Sequence, residues 1–208
     1  MSQLPERFVS SAVAVAAFLL FVVAGLVGGP DNMRDVAAIH SLAAYRTVHI
    51  ALTGQAIMVT HFGGAPMLIA ILLAATAWLA YSRKWRPAIS LVAIVIGGRI
   101  AVELLKLAIQ RPRPFFSPYP VEIASLSFPS GHAANTMITF LALALIAAPA
   151  KGRAAAIAVA AAMSVLVGLT RPFLGVHWPS DVVGGWAFGI AWVVVGATLS
   201  RRWIDPVK

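Results

Sequence analysis

The chain has 208 residues, 60% of them hydrophobic and 11% charged, with 16 Lys+Arg against 7 Asp+Glu and a net charge of +9. A soluble domain cannot hide that much apolar surface, so part of the solvent must be lipid. The basic excess then reads as contact with anionic headgroups and as a topology signal rather than as nucleic-acid binding, and the lack of cysteine excludes disulfides and thiolate metal sites.

A spanning helix takes roughly 20 mostly apolar residues. The hydropathy pattern predicts six, over residues 9–29, 64–81, 88–109, 132–148, 154–174 and 182–199. The first follows Arg7 as a signal peptide would, but its run is long and lacks a small-x-small cleavage site, so an uncleaved anchor is expected. Gly28, Gly29 and Pro30 end it. Residues 32–60 are less apolar, and DVAAIHSLAAYRTVHIAL predicts an amphipathic helix lying at the interface. No repeat, low-complexity tract or flexible linker is visible. The expectation is one all-α domain over 1–208: a polytopic bundle of six transmembrane helices with short interfacial helices.

Lys and Arg by side give the orientation. With the N-terminus inside, Arg7, Arg83, Lys84, Arg86, Lys151, Arg153, Arg201, Arg202 and Lys208 fall inside, nine of the 16. The others are Arg34, Arg46, Arg99, Lys106, Arg111, Arg113 and Arg171, and four of these lie in segments that carry chemistry. Both termini are expected in the cytoplasm of a cell whose inner (plasma) membrane holds the protein.

Those segments are 106–114 (KLAIQRPRP), 129–132 (PSGH) and 170–181 (TRPFLGVHWPSD). Together they hold one Lys, three Arg, two His and one Asp, all expected at the outer face. Charge beside hydrocarbon is costly, which makes such a cluster a candidate site. Cations with two histidines point to an anion being bound and attacked, a phosphate first of all.

In PSGH, Ser130 is the expected N-cap of a helix whose free N–H groups and positive dipole end suit a phosphate. Gly131 lets the backbone approach closely, and His132 falls in the first turn. Lys106 and Arg113 flank a proline-stiffened turn that lets them converge. Arg111 fits a snorkelling loop cation better than Arg113 does, although residue type alone does not separate the two. Pro179 and Ser180 open the last helix and put Asp181 in its first turn. Asp181 can then bond one nitrogen of His177, fixing its tautomer and freeing the other as base or nucleophile. Arg99 and Glu103 are four apart and Glu103 precedes Lys106 by three, so a structural ion pair is expected there. His40, His49 and His61 read as mainly structural. No H-x-x-x-H, H-E-x-x-H or cysteine pattern supports a metal, and no Walker A or dinucleotide fingerprint appears, so neither metal nor cofactor is expected.

The three segments resemble the type 2 phosphatidic acid phosphatase family of lipid phosphate phosphatases, whose site is shared with vanadium haloperoxidases. The family pattern is K-x6-RP, then PSGH, then SR-x5-H-x3-D. Lys106 to Arg113-Pro114, Pro129 to His132, and Arg171, His177 and Asp181 match it, with Thr170 where the family usually has Ser. The resemblance implies that His177 attacks phosphorus, Asp181 orients it, and His132 protonates the leaving oxygen and later activates water. It implies that Lys106, Arg113, Ser130, the Gly131 amide and Arg171 hold the phosphoryl oxygens without a metal. The expected partners are the bilayer and a lipid phosphate such as undecaprenyl diphosphate, phosphatidylglycerol phosphate, phosphatidic acid or the phosphates of lipid A, with no nucleic acid. Family analogy favours the first two. The aromatic 115–128 loop is a candidate for receiving the lipid. Phosphotransfer to another lipid or sugar is the alternative enzyme class. An anion channel lined by Arg99, Lys106, Arg113 and Arg171 is the non-enzymatic one, and it leaves the His–Asp pair and PSGH unexplained.

Overall fold

The computed structural model of the chain describes residues 3–115, 120–121 and 125–204. Regular structure in these residues is helical: α1 (Gln3–Val27), α2 (Met33–Val48), α3 (Ile50–His61), α4 (Ala65–Tyr81), α5 (Trp85–Ile109), α6 (Gly131–Ala142), α7 (Arg153–Phe173) and α8 (Pro179–Ile204). A π-helical turn over Leu143–Ala147 prolongs α6, and a 3-10 turn over Ala150–Gly152 leads into α7. Five apolar stretches among the described residues are long enough to cross a membrane: Ser10–Val27, Ile50–Tyr81, Trp85–Ile109, Ala150–Phe173 and Pro179–Arg201. A sixth apolar run, Gly131–Ala147, is shorter. The protein is therefore a multi-pass, all-helical membrane protein.

The element boundaries follow from local chemistry. α1 ends where Gly29 takes a positive φ of 108°, a backbone state that glycine adopts without a Cβ penalty. Asn32 then caps α2, its side chain accepting from Arg34 N and Asp35 N at 2.9 and 3.0 Å. Gln110, at φ 52°, closes α5 in a left-handed cap whose N–H bonds Lys106 O at 2.9 Å. Pro112 and Pro114 follow it and prevent the helix from resuming.

The interfacial segment differs from expectation. It is not one helix but two, broken at His49. The second of them, α3, has no Asp, Glu, Lys or Arg and joins α4 through a three-residue turn in a single apolar stretch. Only α2 keeps the charged residues that suit an interface. Residues 116–119 and 122–124 of the aromatic loop lie outside the described residues.

α8 is the hub, packed against α1 along its length and against α5, α6 and α7. Leu91, Val95 and Val102 of α5, Ile138 and Ala142 of α6, and Val193 of α8 form the centre of the core. Two indoles tie the hub to its neighbours, Trp186 Nε1 donating to Ser164 O and Trp192 Nε1 to Ile94 O, each at 2.9 Å. Such pairing matters in lipid, where an unpaired donor has no water to turn to. On α1, by contrast, Phe18, Leu19, Val23 and Leu26 are exposed and form a face for hydrocarbon. Close approach of α8 to the start of α6 needs Gly185: a Cβ there would stand 2.8 Å from Ser130 O. That contact brings the PSGH turn and the 177–181 turn together.

Candidate active site

The ends of α5 and α7 and the starts of α6 and α8 meet around one cavity of about 200 Å³. Lys106, Arg113, Gly131, His132, Arg171 and His177 line it, three separate sequence segments in one place. Four cations face it (Arg99, Lys106, Arg113 and Arg171) against one carboxylate, Glu103. An anion is the complementary ligand.

His177 lies in the turn between α7 and α8 and is 1% exposed. Arg113 Nη1 stands 3.0 Å from its Nε2. A guanidinium can only donate, so Nε2 carries the lone pair and Nδ1 the proton. Nδ1 faces Asp181 Oδ2, but at 3.4 Å, a weak contact. Ser127 comes between them. Its Oγ donates to Asp181 Oδ2 at 2.5 Å and lies 3.4 Å from Nδ1. Burial, and then the charges of Arg113, Arg171 and Lys106, hold the His177 imidazole well below its usual pKa, with the Ser127 hydrogen bond opposing. The ring is neutral with its lone pair towards the cavity, the state a nucleophile requires.

The cations are held by different anchors. Arg113 donates through Nε to Ser125 O at 2.6 Å and through Nη1 to Val176 O at 2.5 Å, which aims its fork across the cavity. Lys106 Nζ donates to Glu103 Oε1 at 3.1 Å and Ser125 Oγ at 3.0 Å. A Cβ at Gly131 would sit 3.1 Å from that amine, so any larger residue there would push the lysine tip back from the α6 N-terminus. Arg171 Nη1 donates to Thr60 Oγ1 at 2.7 Å, while its Nε is buried without a partner. Thr170 turns its hydroxyl onto Val167 O of its own helix at 2.6 Å, away from any anion.

Ser130 holds the N-cap position of α6 but makes no side-chain cap bond. Its N–H donates to Asp181 O at 3.0 Å and its Oγ is fully buried without a partner. It stands behind the cavity wall, whereas Lys106, Arg113, Gly131 and Arg171 line it. Among the described residues no cluster of three or more His, Cys, Asp or Glu could hold a metal ion.

Two sequence expectations are corrected here. The ion pair of Glu103 is with Lys106; Arg99 does not join it. The three-residue spacing brings the amine onto the carboxylate, and Ser125 fixes it there. Arg111 is no loop cation: it is 6% exposed and fully committed. Its Nη1 bonds Asp181 Oδ1 at 2.9 Å and Ser180 Oγ at 3.1 Å, its Nη2 bonds Ala24 O and Gly25 O at 3.1 and 2.6 Å, and its Cζ lies 4.3 Å from the Phe128 ring centroid. A buried guanidinium must find acceptors for its donors, and the last-turn carbonyls of α1 plus Asp181 supply them.

Sequence reasoning missed Ser125, Ser127, Asp35 and Thr60. Asp35, 5% exposed, accepts from Gly29 N at 2.7 Å and Ser180 N at 3.1 Å, and also from Ser180 Oγ. It thereby caps α8 at the positive dipole end. The alternating hydroxyls of S-L-S ahead of Phe128 were a usable signal for Ser125 and Ser127. Thr60, 111 residues from Arg171, had none.

The fold and the site define a polytopic membrane protein with a cavity lined by cations and two histidines. The PAP2 superfamily profile matches residues 87–205. This chain belongs to that superfamily. It is 31% identical over 137 residues to phosphatidylglycerophosphatase B of Bacillus subtilis, covering 64% of this chain and 67% of the relative. It is 39% identical over 115 residues to lipid A 1-phosphatase of Rhizobium etli, covering 51% of this chain and 47% of that one. The chain thus matches about two thirds of the first relative's length and about half of the second's. The crystal structure of a transmembrane PAP2 type phosphatidylglycerolphosphate phosphatase from Bacillus subtilis superposes with a TM-score of 0.80 at 26% identity, covering 94% of this chain and 97% of that one.

Proposed function

We propose that the protein hydrolyses the terminal phosphate of a membrane lipid, with His177 as nucleophile. The observation that carries this reading is the 3.0 Å approach of Arg113 Nη1 to His177 Nε2 inside a cavity lined by Lys106 and Arg171. The nitrogen that carries the lone pair and the cations that would hold a phosphate share one space. In the first step His177 Nε2 bonds phosphorus as the bond to the lipid oxygen breaks, and His132, protonated once the bound phosphate anion offsets the cations around it, gives that oxygen a proton. Asp181 faces the Nδ1–H and offsets the positive charge the ring acquires. In the second step His132 takes a proton from water, whose oxygen displaces His177 and releases inorganic phosphate. Lys106, Arg113, Arg171 and the Gly131 amide stabilise charge on the equatorial oxygens in both steps. Ser130 supports the site through its backbone bond to Asp181.

The lipid phosphatases among the relatives support the substrate class, and the superposed phosphatidylglycerolphosphate phosphatase supports phosphatidylglycerol phosphate. Undecaprenyl diphosphate and phosphatidic acid are the other lipids to try. The excess of Lys and Arg on the loops opposite the site supports cytoplasmic termini and a site at the outer face of the plasma membrane.

The test is phosphate release by purified protein in detergent with EDTA present, from a panel of these lipids, beside His177→Ala. Release by wild type and none by the folded variant is expected. Substantial turnover by His177→Ala would remove it as nucleophile. Phosphate found on a second lipid or sugar would mean transfer instead of hydrolysis, and a metal-restorable loss under EDTA would overturn the mechanism.

A further inference from the structure

The cavity holds a cation that the chemistry above leaves unused. Arg99 lies in the middle of α5, within the stretch Trp85–Ile109 that is apolar enough to span the membrane. A cation at such a depth is costly and needs compensation. The obvious partner is Glu103, four residues on, but that carboxylate bonds Lys106. Among the described residues Arg99 forms no ion pair and no hydrogen bond, and it lines the same cavity as Lys106 and His177. From α6, Asn135 also lines this cavity, and its Oδ1 is buried without a partner. Arg99 and Lys106 are seven residues apart, so they share one face of α5 with a rise of about 10 Å between them. One end of the cavity therefore carries the phosphate-binding cations and the nucleophile. A further guanidinium waits some two helical turns along it.

We propose that Arg99 binds a second phosphoryl group of the substrate, so that the enzyme favours lipids with two phosphates over lipids with one. The inference rests on the lipid-phosphatase reading and sharpens it. The cleaved phosphate sits on Lys106, Arg113 and Arg171, and the lipid leads away from it past His132. A second phosphate, joined directly or through a glycerol, then meets the guanidinium, whose planar fork matches phosphate oxygens in pairs.

The experiment measures kcat/KM on phosphatidylglycerol phosphate, undecaprenyl diphosphate and phosphatidic acid for wild type, Arg99→Ala and Arg99→Lys. Arg99→Ala loses roughly tenfold or more on a two-phosphate lipid relative to phosphatidic acid, the loss of one charge-assisted hydrogen bond. Arg99→Lys recovers part of that discrimination, since it restores charge without the fork. A larger loss on the glycerol-linked lipid assigns the subsite to a spaced phosphate, and a larger loss on the diphosphate assigns it to an adjacent one. An equal fall on all three lipids, or no change on any, overturns the proposal. If wild type releases phosphate from none of them, the phosphatase reading fails instead, and binding decides the subsite. Inorganic pyrophosphate or glycerol bisphosphate should raise Tm more than inorganic phosphate does, with that difference lost in Arg99→Ala. Equal shifts from all three anions would overturn the subsite.

Discussion

Two arginines two residues apart meet opposite fates, and the contrast separates the parts of this site. Arg113 faces the cavity, touching the lone pair of His177. Arg111 is sealed behind the site, bonded to Asp181, Ser180 and the last turn of α1. The chain between them is not helical and carries Pro112, so the two side chains are not held on one helix face. One arginine presents charge to the cavity. The other spends its charge fixing the carboxylate that faces the nucleophile. Both find acceptors in the fold; what differs is that those of Arg111 include the buried Asp181 carboxylate, whereas those of Arg113 include the His177 nitrogen at the cavity.

The sharpest way to break the comparison is to remove each guanidinium in turn. Arg113→Ala should lower kcat/KM by about a hundredfold to a thousandfold, the scale of losing a donor aimed at developing charge. Its Tm should move far less than that of Arg111→Ala. Arg111→Ala should cost on the order of 3–5 kcal/mol of stability, because it leaves Asp181 buried beside an empty space. Arg111→Lys should rescue little, since an ammonium cannot fork between the α1 carbonyls and Asp181. Thermal unfolding in detergent beside steady-state kinetics decides it. Were Arg111→Ala stable and Arg113→Ala unstable, the two roles would have to be exchanged.

The same contrast shows what could be read from the chain alone. Lys106, His132, Arg171 and His177, which line the cavity, could be picked out as candidates because their spacing against helix ends is local (a proline turn, a helix start, a short loop), whereas only the family pattern chose Arg113 over Arg111. The helical bundle was legible because apolar runs of spanning length are local too. The partners that make Arg111 structural were not. Asp181 lies 70 residues away and Ala24 lies 87. Nothing in a run of R-P-R-P says which arginine will meet the buried carboxylate, because Asp181 and the carbonyls beside it arrive with α8 and α1. Thr60 under Arg171 and Asp35 at the start of α8 are hidden for the same reason. The division of residues 32–60 into two helices was hard to see because α3 changes from polar to apolar without a proline or a paired glycine to mark the break.

The smallest effect concerns the other face of the comparison, the proposed nucleophile itself. Burial and three cations hold His177 neutral in the folded protein, whereas in the unfolded chain it titrates normally, near pH 6.5. The folded state then binds fewer protons than the unfolded state below that pH, so stability falls as pH drops from about 6.5. For one such group the slope approaches about 1.4 kcal/mol per pH unit. Above pH 7 the ring is neutral in both states and contributes no slope. His177→Asn removes the titration, so its Tm should decline less steeply between pH 7 and pH 5 than that of wild type, whatever its absolute value. The comparison of slopes, not of Tm values, isolates the group from the packing change that the substitution also makes. Identical slopes would mean that His177 accepts a proton in the folded state. It would then have to turn away from Arg113 as it does so, and the neutral, cavity-facing nitrogen on which the proposed attack depends would be lost.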